Sequence, residues 1–428
     1  MYYKVGIAGY GTVGTGVAEL LLTHKDIIKE KTGVELELTA VLDKDWKRER
    51  SFSIDDGLKV DSLEELLNRA DIVVELIGGV GFAKELIERA IERKKHIVSA
   101  NKHLIAIHGK EIFEKAKEYD VSVEFEASVG GGIPIIKALK EGLVANKINY
   151  IHGILNGTTN YILTSMLDEG KSFEQALKEA KELGYAEQDP TFDIEGIDAA
   201  HKIAILSSIA YGGYIDFNDI YIEGISNIDL LDVELGKELG YTIKLLAIAK
   251  TVDGELEVRV HPTFINHQEQ LAKVSGVYNA ILIEGDFVGK SMLYGKGAGS
   301  KPTASAVVSD IIDIAKRGDK RFQAFNTNKS LKLNKNFYTR YYIRFEVEDK
   351  VGVLASIANV FARYGISIAS VLQKEMVCKV AKKENSPLVP LVILTHKAYE
   401  EQIKKALKDI ENLSVVKEKP ILIRLEEE

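Results

Sequence analysis

A short apolar segment, residues 3–8, runs directly into Gly9-Tyr10-Gly11-Thr12-Val13-Gly14, and helical periodicity follows. A strand that ends in Gly-x-Gly-x-x-Gly and opens a helix leaves a chain few folds to choose from, because each glycine meets a separate steric demand. Gly9 permits the tight turn, Gly11 lets backbone approach a pyrophosphate at the helix N-terminus, and Gly14 lets that helix lie against the sheet. The alternation then continues, with strands at 36–42, 72–77, 96–99 and 121–126 and helices at 61–69, 84–93 and 112–119. These strands are continuous apolar runs, as expected of strands covered on both faces. The pattern predicts an α/β unit over 1–134 built on a doubly wound parallel sheet.

After Gly130-Gly131-Gly132-Ile133-Pro134 the rhythm changes. A helix at 135–142 and a strand at 148–155 lead to Asn156-Gly157-Thr158-Thr159-Asn160. Ser172 and Gln175 form a capping box, and Gly184 stops the helix that it opens. Residues 135–294 are expected to form a second, α+β domain, and 295–316 a helix returning to the first. The polar stretch 317–338 lacks periodicity and reads as a linker. From 339 to 428 the order βαββαβ is that of a small ferredoxin-like module.

The 428 residues accommodate two or three domains. A net charge of -8, with no basic run, excludes the electrostatic footprint of a nucleic-acid binder. The longest uncharged stretch, 149–167, is broken by Asn156, Thr158, Thr159 and Asn160, so no membrane span is expected. The chain enters a strand at once, leaving no room for a signal peptide, and a cytoplasmic location is expected. The single cysteine, Cys378, excludes an intrachain disulfide framework.

Chemistry concentrates in residues 184–202, where Glu187, Asp189, Asp193, Glu195 and Asp198 precede an apolar helix with Lys202 at its entrance. Carboxylates in that number suit a small cationic substrate, since they offset the desolvation of an ammonium group. Asp198 and Lys202 stand four apart and share a helix face, which is equally the spacing of a surface ion pair. Ser99-Ala100-Asn101-Lys102 ends a strand at the carboxyl edge of the sheet, where such folds bind ligands. Asp43 suits the hydroxyls of an NAD ribose, whereas Lys44, Lys47 and Arg48 suit the 2′-phosphate of NADP; the residues leave both open. The run 126–133 reads as a domain joint on spacing, or as a loop offering carbonyls and the Glu126 carboxylate to a hard cation. His96, His103, His108 and His201 show no metal-ligand spacing.

Together, GYGTVG at Gly9, VVELIGG at Val73, SANK at Ser99, EASVGGGIPII at Glu126, NGTTNYIL at Asn156, GYAEQDPTFDIEGIDAAHK at Gly184 and GKGAGSKPTASAV at Gly295 resemble the homoserine dehydrogenase family, in the form that carries a C-terminal ACT domain. The resemblance implies a Rossmann-like NAD(P)-binding domain, a substrate-binding and dimerisation domain, and an ACT module. It also implies interconversion of L-homoserine and L-aspartate 4-semialdehyde with NAD(P)(H), in threonine, methionine and isoleucine biosynthesis. By the same resemblance Lys202 is the proton donor, Lys102 a second active-site lysine, and Asp198 the acid that orients Lys202 and a water. Glu187 and Asp193 then hold the substrate, with Asn156, Gly157, Thr158 and Tyr185 around it. Cofactor contacts are implied for Gly9, Gly11, Thr12, Val13, Gly14, Asp43, Lys44, Ser99, Lys102 and Gly299. Sodium ligation is implied for Glu126 and the carbonyls of Val129, Gly131 and Ile133. Asp43 before Lys44 departs from the family, where NADP-preferring members often carry an apolar residue and then a base. A homodimer or homotetramer is implied. In the ACT module the helix start at Gly352 is expected to receive an amino-acid carboxylate, threonine by preference, the alternative being a module that only dimerises. Two further expectations follow: converging lysines lower each other's proton affinity, and residues 1–336 suffice for activity.

Overall fold

The computed structural model describes residues 1–318, 325–373 and 388–427; Cys378 falls outside them. The first layer comprises β1 (Tyr2–Ala8), α1 (Thr12–Thr23), α2 (Lys25–Thr32), β2 (Glu35–Leu42), β3 (Lys59–Val60), α3 (Leu63–Arg69), β4 (Ile72–Glu75), α4 (Gly81–Glu92), β5 (His96–Ser99), α5 (Lys102–Glu118) and β6 (Val123–Glu124). Its strands pair in the order β3-β2-β1-β4-β5-β6, all parallel. The order reverses between β1 and β4, which places the crevice for a nucleotide at the carboxyl end of β1. Every residue of β4 is buried, as the continuous apolar run requires. The expected single helix after Gly14 divides at His24 into α1 and α2. The helix placed at 112–119 begins instead at Lys102. Asn101 caps it, accepting from Leu104 N at 3.1 Å, and Leu104, Ile105 and Ala106 are buried although Gly109 and the polar residues beside it interrupt the apolar pattern.

The helix expected at 135–142 is present as α6 (Ile135–Lys137), continued by a π-helical stretch, Ala138–Gly142. It is followed by β7 (Ile148–Ile154), α7 (Gly157–Glu169), α8 (Phe173–Glu182), α9 (Thr191–Ile194) and α10 (Ile197–Ala210). After them come β8 (Gly213–Tyr214), β9 (Tyr221–Ile222), α11 (Leu230–Glu238), β10 (Tyr241–Val252), β11 (Glu255–Asn266), β12 (Tyr278–Gly285), β13 (Gly289–Lys296) and α12 (Ser300–Arg317). The antiparallel strands β13-β12-β7-β10-β11 form a sheet on which α7 and α10 pack. Helix α12 returns to the first layer and lies against α1. The fit is tight at Gly16, where a Cβ would meet Ser300 Oγ at 2.5 Å.

The polar stretch after α12 is docked over its described part. β14 (Asn326–Ser330) pairs with β8, and Leu331 N donates to Tyr214 O at 2.9 Å. Backbone pairing of this kind needs no apolar periodicity, so composition alone could not reveal it. The C-terminal module follows as β15 (Tyr338–Glu348), α13 (Val353–Arg363), β16 (Ile368–Gln373), β17 (Leu388–Thr395), β18 (Ala398–Tyr399), α14 (Glu400–Glu411) and β19 (Ile421–Leu425). Its last strand inserts between β15 and β11, pairing in parallel with β11 through Thr263↔Arg424 and Phe264↔Leu425. Two sheets thereby become one of 11 strands.

Charged side chains line the seam. Arg259 meets Glu426 at 2.6 Å, Glu426 also takes Lys250, and Arg344 grips Asp232 through Nε at 2.6 Å and Nη2 at 3.0 Å. Arg259, Arg424, Asp232 and Glu426 are all buried. The module is joined to the catalytic layer through its core, not through a tether alone. That joint bears against the expectation that residues 1–336 stand by themselves.

Candidate active site

Lys102 is the first helical residue of α5, delivered from the carboxyl end of β5. Asp198 lies in the first turn of α10 and Lys202 one turn on. Gly196, at φ 79°, leads into α10 so close to β11 that a Cβ there would sit 3.2 Å from Val260. These elements bring two ammonium groups to one carboxylate. Lys202 Nζ lies 2.6 Å from Asp198 Oδ2 and donates to Leu155 O at 2.6 Å. Lys102 Nζ lies 2.5 Å from Asp198 Oδ1, an ion pair outside hydrogen-bond alignment that leaves Oδ1 without an in-line donor. Asn156 caps α7 by accepting from Thr159 N at 2.9 Å, while its Nδ2 donates to Asp193 Oδ1 at 2.7 Å and Asp198 Oδ2 at 2.9 Å.

Burial dominates the electrostatics here. Burial pulls Lys202 below the usual lysine range, the charge of Lys102 adds to this, and Asp198 only partly opposes it. Burial acts on Lys102 in the same sense, but Asp198, Asp193 and Glu187 together outweigh it and raise that group. Mutual depression of the two lysines therefore operates on Lys202 alone, because only Lys102 keeps enough carboxylates around it. Burial raises Asp193, whereas for Asp198 the two lysines overcome burial and hold the carboxyl well below its ordinary value.

A cleft of about 540 Å³ opens over this group, lined by Lys102, Asn156, Gly157, Thr158, Tyr185, Glu187, Asp193, Asp198, Lys202 and Gly299. Thr158 Oγ1 donates to Tyr185 O at 2.7 Å, tying the start of α7 to the acidic loop. Not every acid of that loop faces the cleft. Asp189 accepts from Thr191 N at 3.1 Å, and Glu195 takes Ser226 Oγ. Asn279, Lys296, Gly297 and Ala298 also line it. Asn279 carries no motif to mark it, whereas Lys296, Gly297 and Ala298 belong to the glycine-rich run at Gly295.

A second cleft, about 470 Å³, holds Gly9, Gly11, Asp43, Lys44, Arg48 and Arg50. No Cβ fits on Gly9, which has φ 100° and presses on the Leu76 backbone, or on Gly14, which lies under the Gly9 carbonyl; the space beside Gly11 is open. Thr12 is at the smaller recess next to it, where Ser300 Oγ donates to Thr12 O at 2.7 Å. Val13 packs into the core instead, and Ser99 is buried with its hydroxyl donating to Glu75 Oε2 at 2.6 Å. Asp43 Oδ2 accepts from Tyr10 N at 2.6 Å and Oδ1 from Asp45 N at 2.8 Å; Arg50 stands 3.2 Å away and stacks over Tyr10 and Trp46. Lys47 lines neither cleft. Nothing in the sequence marks Arg50, which lies past Lys44, Lys47 and Arg48.

Glu126 is buried where α6 begins, and its two oxygens accept from Ile136 N at 2.8 Å and Lys137 N at 2.7 Å. Ile133 O accepts from Ile135 N at 2.8 Å. A carboxylate and backbone carbonyls are the oxygen donors that a hard cation takes, and of these the Val129 and Gly131 carbonyls have no described backbone donor. No cluster of three or more His, Cys, Asp or Glu side chains able to hold a metal occurs among the described residues. No helix among them is long and apolar enough to cross a membrane.

A doubly wound sheet with a glycine-lined cleft, together with a separate cleft holding two lysines that share a carboxylate, marks an NAD(P)-dependent oxidoreductase. Family models agree: residues 9–126 match the homoserine dehydrogenase NAD binding domain, 134–312 homoserine dehydrogenase, and 341–414 the ACT domain. The homoserine dehydrogenase of Neisseria gonorrhoeae is 44% identical over 99% of this chain and 98% of its own length. The crystal structure of a homoserine dehydrogenase from Thiobacillus denitrificans superposes with a TM-score of 0.92 at 43% identity, covering 100% of this chain and 98% of that one. A hyperthermophilic archaeal homoserine dehydrogenase mutant in complex with NADPH covers 73% of this chain and 97% of its own, at 30% identity and a TM-score of 0.58. The chain belongs to the homoserine dehydrogenase family and carries an ACT domain.

Proposed function

We propose that the chain interconverts L-homoserine and L-aspartate 4-semialdehyde with Lys202 as the proton donor. The observation that carries this is the Lys102–Asp198–Lys202 group at the floor of a cleft walled on one side by Glu187 and Asp193. Gly9, Gly11, Thr12, Lys44 and Gly299 would hold NAD(P)H, which would supply the hydride. As hydride reaches the aldehyde carbon, the carbonyl electron pair moves to oxygen, and Lys202 gives that oxygen its proton. Lys102 adds positive charge beside it, which favours an oxygen that becomes anionic. Asp198 fixes Lys202 in place. The downward shift of Lys202 brings its proton closer to useful acid–base range, so the same amine takes the hydroxyl proton back in the oxidation of homoserine. Glu187 and Asp193 hold the substrate ammonium, with Asn156, Gly157, Thr158 and Tyr185 closing round the amino acid.

Glu126 and the carbonyls of Val129, Gly131 and Ile133 hold a monovalent cation, sodium by its oxygen donors. The cleft of about 420 Å³ at Glu348, Asp349, Gly352 and Gln373 takes an amino-acid effector, threonine, at the start of α13. The protein works as a homodimer or homotetramer in the cytoplasm, in threonine, methionine and isoleucine biosynthesis. Following the absorbance of reduced cofactor while L-homoserine is oxidised, with NAD and NADP side by side, tests the activity. Turnover with either cofactor is expected. No turnover with both, in folded protein, contradicts it.

A further inference from the structure

Each of the two lysines has a histidine next to it in the chain: His103 after Lys102, and His201 before Lys202. Their rings stack across the contact between α5 and α10, with centroids 4.7 Å apart and planes 27° from parallel. On its other side His201 stacks on Phe217 at 4.5 Å and 28°. Phe192, directly before Asp193, lies 6.1 Å from His103 and 6.4 Å from His201. One column of rings thus joins the helix from the parallel sheet, the helix on the mixed sheet and the acidic loop. His201 is 1% exposed, and its Nδ1 has no hydrogen-bond partner, so ring packing is what holds that side of the imidazole. Burial lowers both imidazoles from the ordinary histidine value, His201 to about 4; His103, Asp198, Lys102 and Lys202 are the titratable groups facing His201, and His108 and Lys102 those facing His103.

We propose that the His103–His201 stack sets the register between α5 and α10, making both histidines positioning residues for the Lys102–Asp198–Lys202 group. This rests on the reading of the two lysines given above. Lys102 arrives on one helix, Asp198 and Lys202 on the other, and the 2.5 Å approach of Lys102 to Asp198 has to be maintained across the joint. Stacked rings suit that task, because aromatic pairs hold a defined offset while burying apolar surface. Neither ring lines the substrate cleft, so neither touches what is bound there.

The test compares His103→Ala, His103→Phe and His201→Phe with the native enzyme, each checked for a native melting transition. Loss of a stacking partner displaces Lys102, and a shift of that kind costs kcat about 10- to 100-fold. The KM for NAD(P) is expected to stay within about twofold, since nothing at the glycine motif changes. The phenylalanine variants keep the stack and are expected to recover most of the lost kcat. Native kcat in His103→Ala overturns the proposal, and so does a His103→Phe enzyme as impaired as His103→Ala. Lys102→Ala assayed in parallel separates the two levels. Native turnover there sinks the reading of the site itself, whereas an impaired Lys102→Ala beside a native His103→Ala sinks the stack alone.

Discussion

Arg424 and Glu223 meet at 2.8 Å across the seam where the last strand of the ACT domain joins the catalytic sheet. Arg424 also holds Glu400 at 2.6 Å and donates to the Tyr221 hydroxyl at 2.7 Å; Arg424 and Glu400 are buried, Glu223 and Tyr221 half-buried. The segment that it grips reaches the active site in few steps. Glu223 N donates to Val260 O at 2.8 Å, and Ile225 N to Ile194 O at 2.7 Å, just before the turn that opens α10.

Truncation after Asn336 removes β15, β17 and β19 and uncovers the edge of β11 at Thr263 and Phe264, with Arg259 parted from Glu426 and Glu223 from Arg424. The truncated chain is expected to be unstable and poorly active. Arg424→Met in the full chain takes the guanidinium from the half-buried Glu223 and from Glu400, which keeps Lys404 at 3.2 Å and the Tyr341 hydroxyl at 3.0 Å. It is therefore expected to destabilise by less than the loss of about 3–5 kcal/mol for a buried ion left wholly unpaired. Denaturant unfolding and size-exclusion chromatography check both. A monodisperse, fully active 1–336 fragment would contradict the role given to the seam.

Cofactor choice turns on Arg50 as well as on Lys44 and Arg48. Asp43 is engaged by Tyr10 N, Asp45 N and Arg50, which leaves less of its charge to repel a 2′-phosphate. Arg50→Ala is expected to lower kcat/KM for NADP relative to NAD by about tenfold or more, the worth of one hydrogen bond to a charged group at about 1.5–3 kcal/mol. Steady-state kinetics with both cofactors gives the ratio. An unchanged ratio would remove Arg50 from phosphate recognition.

Stability should fall on the acid side through two buried histidines. Burial brings His152 and His201 to about 4, so each is neutral in the fold while the unfolded chain protonates near the ordinary 6.5. Between those values the unfolded state binds more protons, and stability declines as pH drops from about 6.5 towards 4, by up to about 3 kcal/mol for each histidine. Above 6.5 neither contributes a slope. Melting temperatures between pH 7 and 4 measure it, and His152→Phe is expected to flatten the curve. An equal slope in that variant would show that His152 is not responsible.

How much was legible in the sequence depended on whether a residue's task was local. Gly9, Gly11 and Gly14 follow from steric demands within a few residues, and β5, at His96–Ser99, emerges at its expected bounds because its apolar run is uninterrupted. Asp198 and Lys202 were visible as a pair four apart, but their meeting with Lys102, 96 positions or more away in sequence, depends on the packing of α5 against α10. Asn279 and Arg50 gave no sign, since each matters only through what tertiary structure sets beside it. The same holds for β14, whose residues Asn326–Ser330 carry no strand-like alternation and pair solely because β8 offers an edge.

The most direct test of the account is kcat for Lys202→Ala with L-homoserine. Lys202 is buried, joined to Asp198 and the Leu155 carbonyl, and is the group whose proton the proposed chemistry moves. Its removal is expected to lower kcat by about 10² to 10⁴, the range for a general acid–base group, with a native circular dichroism spectrum. Turnover at the native rate in that variant would contradict the account.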